Sequence, residues 1–135
     1  MKILIAEDHH PSSYVLKKFL EAYGECTLVE NGMDAVNSFL QSLKEGEGFD
    51  LICLDILMPK MDGLKTLQSI RKIQEKMENE NQKEPRIIMV TALEETDNIY
   101  KAFEDGCDAY LVKPYTKEKL EATLKKLDIF PKESK

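Results

Sequence analysis

The stretch Leu51-Ile52-Cys53-Leu54-Asp55-Ile56-Leu57-Met58-Pro59 decides the fold: four apolar residues in succession end abruptly in a carboxylate. A run that is apolar at every position, rather than at alternate ones, suits a strand covered on both faces, which is the habit of parallel sheets. Working outward, the same kind of run recurs at Ile3-Leu4-Ile5-Ala6, Ile87-Ile88-Met89-Val90 and Tyr110-Leu111-Val112, with a weaker one at Cys26-Thr27-Leu28-Val29. The segments between them carry a helical period. Val15, Leu16, Phe19, Leu20 and Tyr23 share one face; Ala35, Val36, Phe39, Leu40 and Leu43 share another; Leu64, Leu67, Ile70, Ile73 and Met77 share a third. The alternation continues with Ile99, Ala102 and Phe103, then with Leu120, Leu124 and Leu127. Gly24 and Gly106 stand where helices stop, and Asp62 and Thr116 where helices are capped. Five strands alternating with five helices predict an α/β fold: a doubly wound parallel sheet with helices on both faces, a three-layer sandwich.

The chain has 135 residues, the size of a single domain, since domains commonly run to about 100–150 residues. Its 42% hydrophobic residues suffice for a core, while 33% charged residues with five prolines and six glycines argue against disorder or a fibrous repeat. The formal net charge of −6 disfavours nucleic acid as a direct partner, because that affinity comes from cationic neutralisation of phosphates. No apolar run approaches the roughly 20 residues of a membrane span, and Glu7 and Asp8 cut short the apolar start before it reaches the length of a signal peptide. The expected localisation is cytoplasmic. Cys26, Cys53 and Cys107 are an odd set, widely spaced, and are expected to be buried free thiols. Residues 74–84, polar and charge-rich, are expected to extend the third helix and then form a solvated loop.

In doubly wound sheets, ligands gather outside the carboxyl ends of the strands, so the residues that terminate the apolar runs map the site. The first run ends in Glu7-Asp8, the third in Asp55, the fourth in Thr91 and the fifth in Lys113-Pro114. Three carboxylates, one hydroxyl and one ammonium therefore converge on one edge. Crowded carboxylates repel unless a cation sits among them. Oxygen ligands without nearby imidazole or thiolate point to Mg²⁺, with Mn²⁺ as its substitute, and Mg²⁺ favours a phosphate oxygen as a further ligand. Lys113 and Thr91 offer a point charge and a donor to a phosphoryl group. Asp55 is then the best candidate for a carboxylate nucleophile that forms an aspartyl phosphate.

These motifs together resemble the response-regulator receiver domain, the CheY-like fold. The resemblance runs over residues 1–127, and it implies strand order 2-1-3-4-5, with 128–135 as a short tail carrying no output domain. It further implies that Asp55 accepts a phosphoryl group from a histidine kinase or histidine phosphotransfer protein. Asp8 and Asp55 with the backbone carbonyl of Leu57 would hold Mg²⁺, and Glu7 would reach the ion through water. Lys113 would pair with the phosphoryl group, Thr91 would swing in to hydrogen-bond it, and Tyr110 would turn inward as the aromatic switch. The surface of the fourth helix, fifth strand and fifth helix would change as a result. The Lys113-Pro114 peptide bond would be cis. Leu57 and Leu93 would flank the phosphoryl group and, being apolar, screen it from water. The resemblance implies a signalling phosphoacceptor of a two-component or phosphorelay system rather than an enzyme, with self-phosphorylation from small donors and self-dephosphorylation expected. A monomer is expected, with phosphorylation-linked dimerisation as the alternative, and the downstream target is another protein.

Other readings compete. A pseudo-receiver that binds proteins without phosphotransfer would have little reason to keep mutually repelling carboxylates. A haloacid-dehalogenase-like phosphatase would need a second aspartate where Leu57 stands. A flavodoxin-like carrier would need a phosphate-binding loop where Glu7-Asp8 lies. His9 and His10 point apart and are read as surface or supporting residues rather than ligands. Asp62-Gly63 reads as a turn and helix start. Tyr14, Val15 and Lys18 offer a docking face for the kinase as an alternative to plain helix packing.

Overall fold

The computed structural model describes residues 1–77, 84–92 and 97–132. Its elements run β1 (Lys2–Ala6), α1 (His10–Leu20), β2 (Glu25–Val29), α2 (Gly32–Lys44), β3 (Leu51–Asp55), α3 (Gly63–Lys76), β4 (Arg86–Ala92), α4 (Asp97–Glu104), β5 (Ala109–Lys113) and α5 (Lys117–Lys126). The strands form one sheet in the order β2-β1-β3-β4-β5, and every pairing is parallel. This is the expected doubly wound sandwich.

Side-chain alternation along the central strands divides the core in two. Ile52 and Leu54 of β3 join Ala35, Phe39, Leu67, Ile70 and Ala102 beneath α2, α3 and α4. Leu51 and Cys53 point the other way and join Leu16, Leu20, Leu111, Leu120 and Leu124 beneath α1 and α5. All five residues of β3 are buried, whereas β2, at the sheet edge, is mostly exposed or half-buried, which is why its run reads weakly.

Two apolar residues depart from the predicted faces. Val15 is 45% exposed and Phe103 is 45% exposed. Both lie at the margin of their helical stripe, where a small rotation of the helix turns a side chain to solvent. Among the cysteines, Cys53 and Cys107 are buried but Cys26 is only half-buried, because β2 lacks a neighbour on its outer side. Past α5 the chain packs back: Ile129 is buried among α1 and α5 residues, and the Lys132 N–H donates to the Ala22 carbonyl at 2.9 Å.

The caps expected at Asp62 and Thr116 accept from the N–H groups of Lys65 at 2.9 Å and Lys119 at 3.1 Å, and α3 ends at its Met77 cap. The rest of the predicted loop, 78–83, lies outside the described residues, as does Leu93. Asp62→Ala orphans the first-turn donor and is expected to cost about 0.5–2 kcal/mol, visible as a lower urea midpoint with an unchanged slope.

Candidate functional site

Register brings the predicted groups together. Ala6 pairs with Leu54, Asp55 with Val90, and Thr91 and Ala92 with Val112 and Lys113. The residues ending β1, β3, β4 and β5 thus lie side by side at the carboxyl edge. Glu7, Asp55 and Thr91 are buried there, and Asp8 is exposed. The carboxylates of Glu7, Asp8 and Asp55 each place an oxygen within 4.8 Å of the others, the one such cluster among the described residues.

Lys113 bridges two of these acids, its Nζ donating to Glu7 Oε1 at 2.6 Å and to Asp55 Oδ2 at 3.0 Å. The Leu57 N–H donates to Asp55 Oδ1 at 3.2 Å, and the His9 N–H to Glu7 Oε2 at 3.2 Å. The Lys113-Pro114 peptide bond is cis. Burial lowers the Lys113 pKa, but its hydrogen bonds to Glu7 and Asp55 outweigh that and leave it above its ordinary value. Burial, followed by the hydrogen-bonded Asp55 carboxylate, pushes Glu7 up to about 7 despite the opposing pull of Lys113. One ammonium does not balance three carboxylates. The donor set is all carboxylate oxygen and short of positive charge, so these residues fit a hard divalent cation such as Mg²⁺.

The raised Glu7 pKa has a sign in stability. Between its ordinary value of 4.5 and about 7, the folded chain keeps a proton that the unfolded chain has released. Stability is therefore expected to fall as pH rises through that window and to level off above it. Thermal midpoints measured in chelator from pH 5 to 8 should show this decline, and Glu7→Gln should flatten it.

The switch candidates have partners outside the acidic cluster. The Thr91 hydroxyl donates to the Ala92 carbonyl at 3.1 Å. Tyr110 is 42% exposed, its ring edge-on to Phe103 at 5.9 Å and 87°. The sequence does not announce that pairing, because Phe103 sits in an apolar stripe. Leu57 faces outward at 58% exposure. His9 caps α1, its Nδ1 accepting from the Ser12 N–H at 3.3 Å, and His10 pairs with Glu30; neither belongs to the acidic cluster. Tyr115, not anticipated, lies half-buried beyond Pro114. Burial, followed by the charges of Cys53, Glu7 and Asp55, pushes its phenol up to about 12.

A 2-1-3-4-5 parallel sheet with an acidic carboxyl edge defines the CheY-like class of α/β sandwich. Residues 3–125 match the response regulator receiver domain, and the chain belongs to that family, whose members serve two-component and phosphorelay signalling. It is 31% identical over 126 residues to the osmosensing histidine protein kinase SLN1 of Saccharomyces cerevisiae, covering 92% of this chain and 10% of that protein. It is 33% identical over 128 residues to the probable C4-dicarboxylate response regulator DctR of Bacillus subtilis, covering 93% and 51%. The chain thus spans about a tenth to about half the length of these relatives. Among solved structures, a receiver domain protein from Clostridium thermocellum superposes with a TM-score of 0.77 at 25% identity, covering 93% of this chain and 91% of that one. The receiver domain of Saccharomyces cerevisiae Ssk1, solved with the histidine phosphotransfer protein Ypd1, gives 0.76 at 26% identity, covering 92% and 86%. Among the described residues no helix is long and apolar enough to cross a membrane.

Proposed function

We propose that this domain is a phosphoacceptor, taking a phosphoryl group onto Asp55 from a phosphohistidine of a kinase or phosphotransfer protein. The observation that carries the reading is the Lys113 bridge to Asp55 and Glu7 inside a three-carboxylate cluster. One Asp55 oxygen attacks phosphorus and forms the P–O bond. The P–N bond breaks, its electron pair returns to the ring nitrogen, and the partner's histidine leaves as neutral imidazole when its other nitrogen carries a proton. Asp8, Asp55 and the Leu57 carbonyl would hold Mg²⁺, with Glu7 reaching it through water; bound there, the ion neutralises phosphoryl oxygens. Lys113 meets a further phosphoryl oxygen.

A phosphoryl group adds about −1.5 to −2 charges and three acceptor oxygens. The Thr91 hydroxyl gains more by turning from the Ala92 carbonyl to that group, and Tyr110 follows inward, leaving Phe103. The α4-β5-α5 face then changes shape, and the aromatic groups it carries bind or release a target protein. The domain signals rather than turns over substrate, and its donor reaches it on the cytoplasmic side. A cleft of about 580 Å³ beside Lys113, lined in part by Pro11, Val15, Pro114 and Tyr115, is where the donor protein docks. The relative solved with a phosphotransfer protein supports a partner of that kind.

Incubation with acetyl phosphate or phosphoramidate plus Mg²⁺, followed by intact mass, tests the proposal: one phosphoryl group is expected. No adduct across donors and metals would leave a binding module that works without phosphorylation.

A further inference from the structure

We infer that Arg71 is a positioning residue that fixes the C-terminal end of α4, so that movement of α4 on phosphorylation is a pivot about the Gly106 turn. The inference rests on the phosphoacceptor reading for the event that drives the movement.

Arg71, on α3, is only 16% exposed in its side chain, and it uses nearly the whole guanidinium. Nε donates to the Gly106 carbonyl at 3.0 Å. Nη1 donates to Gln74 Oε1 at 2.8 Å and to the Pro85 carbonyl at 3.1 Å. Nη2 meets Asp108 Oδ2 at 3.2 Å, and that same oxygen accepts the Ile87 N–H at 2.8 Å. One turn earlier on α3, Gln68 Nε2 donates to Asp105 Oδ2 at 2.8 Å. A single helix face thus ties together the entry to β4 and the turn that joins α4 to β5. Gly106 takes φ +103°, and a Cβ there would lie 3.2 Å from Arg71 Nε, so the turn is shaped to receive the guanidinium.

Gln68 and Arg71 thus hold, from α3, the residues that follow directly on the C-terminal end of α4: Asp105, Gly106 and Asp108. The other end of α3 starts at the phosphorylation site, where the Gly63 N–H donates to the Ile56 carbonyl at 2.8 Å. A helix of 14 residues is about 20 Å long at 1.5 Å per residue. It spans the domain from the acidic edge to this clasp. A helix anchored at one terminus answers a pull at the other by turning about the anchor. The planar fork matters, because a lysine ammonium has no rigid fork with which to hold two carbonyls and a carboxylate in fixed geometry.

Hydrogen exchange of the full chain, with and without beryllofluoride and Mg²⁺, tests the inference in wild type, Arg71→Met and Arg71→Lys. In wild type the beryllofluoride difference is expected in 97–104 and 109–113, with 105–108 unchanged. Both variants should lose protection at 105–108 by about tenfold, the scale of one lost charged hydrogen bond, and the beryllofluoride difference should spread into that turn. Rescue of the wild-type pattern by Arg71→Lys, or a lower melting temperature with the wild-type pattern kept, would overturn the inference. Should the Arg71 variants not fold, Gln68→Ala removes the outer tie and should produce the same spread to a smaller degree; no spread would count against the clasp. A wild-type response that includes 105–108 overturns the pivot alone. No response anywhere in a folded chain overturns the phosphoacceptor reading together with the pivot.

Discussion

An Asp55→Asn chain is expected to keep its unmodified mass after incubation with acetyl phosphate and Mg²⁺, under conditions in which the wild type gains one phosphoryl group. The amide has nearly the shape of the carboxylate, so the fold is retained. It lacks the anionic oxygen that attacks phosphorus, and the effect on phosphoryl uptake is complete rather than graded. The same change removes one of three crowded charges. Glu7 loses a hydrogen-bonded neighbour that helps raise its pKa, while Lys113 keeps its 2.6 Å bond to Glu7. The decline of stability between pH 4.5 and about 7 should therefore be shallower in the variant. Loss of uptake combined with a stable fold separates a missing nucleophile from a damaged site. Uptake persisting in Asp55→Asn would place the nucleophile elsewhere.

The second large effect is expected from Gly63→Ala. A Cβ at this first residue of α3 would lie 2.3 Å from the Asp55 carbonyl oxygen and 2.7 Å from the Ile56 Cα. These are backbone atoms that cannot swing aside, unlike the end of a long side chain. Alanine is the better helix former, but overpacking of this kind typically costs about 1–3 kcal/mol and occasionally more. The strain falls on the peptide that carries Asp55, so the urea midpoint should drop and phosphoryl uptake should slow together. A variant as stable as wild type with unchanged uptake would show that α3 can step away from the strand end without consequence.

Much of this domain was legible because its chemistry sits at strand ends. Leu51-Ile52-Cys53-Leu54 is apolar at each position because helices cover both faces of β3, and the abrupt Asp55 marks where that cover stops. Glu7, Thr91 and Lys113 stand at equivalent strand ends, and parallel register sets them next to Asp55. Less could be read of the helices. A stripe that contains Val15 or Phe103 does not say which edge of it reaches water, since that depends on how each helix rotates against the sheet. The Arg71 clasp was out of reach for another reason: the Pro85 and Gly106 carbonyls and the Asp108 carboxylate that it holds lie 14, 35 and 37 positions away along the chain, and no local pattern joins an arginine to partners so distant. Thr91 and Tyr110 could be picked out by position, but their present orientations depend on the Ala92 carbonyl and the Phe103 ring.

The return of the chain past α5 has a practical consequence. The Lys132 N–H reaches the Ala22 carbonyl, and the Met1 carbonyl accepts from the Glu25 N–H at 3.0 Å, so residues 1 and 132 both rest on the same α1–β2 corner. That corner is at the opposite pole from Asp55, because β1 starts there and runs toward the acidic edge. A linker of a few residues could join residues 1 and 132 and the backbone be reopened elsewhere, as circular permutation requires. Fluorophores attached at residue 1 or residue 132 would share one anchoring point and leave the acidic edge clear for a donor protein.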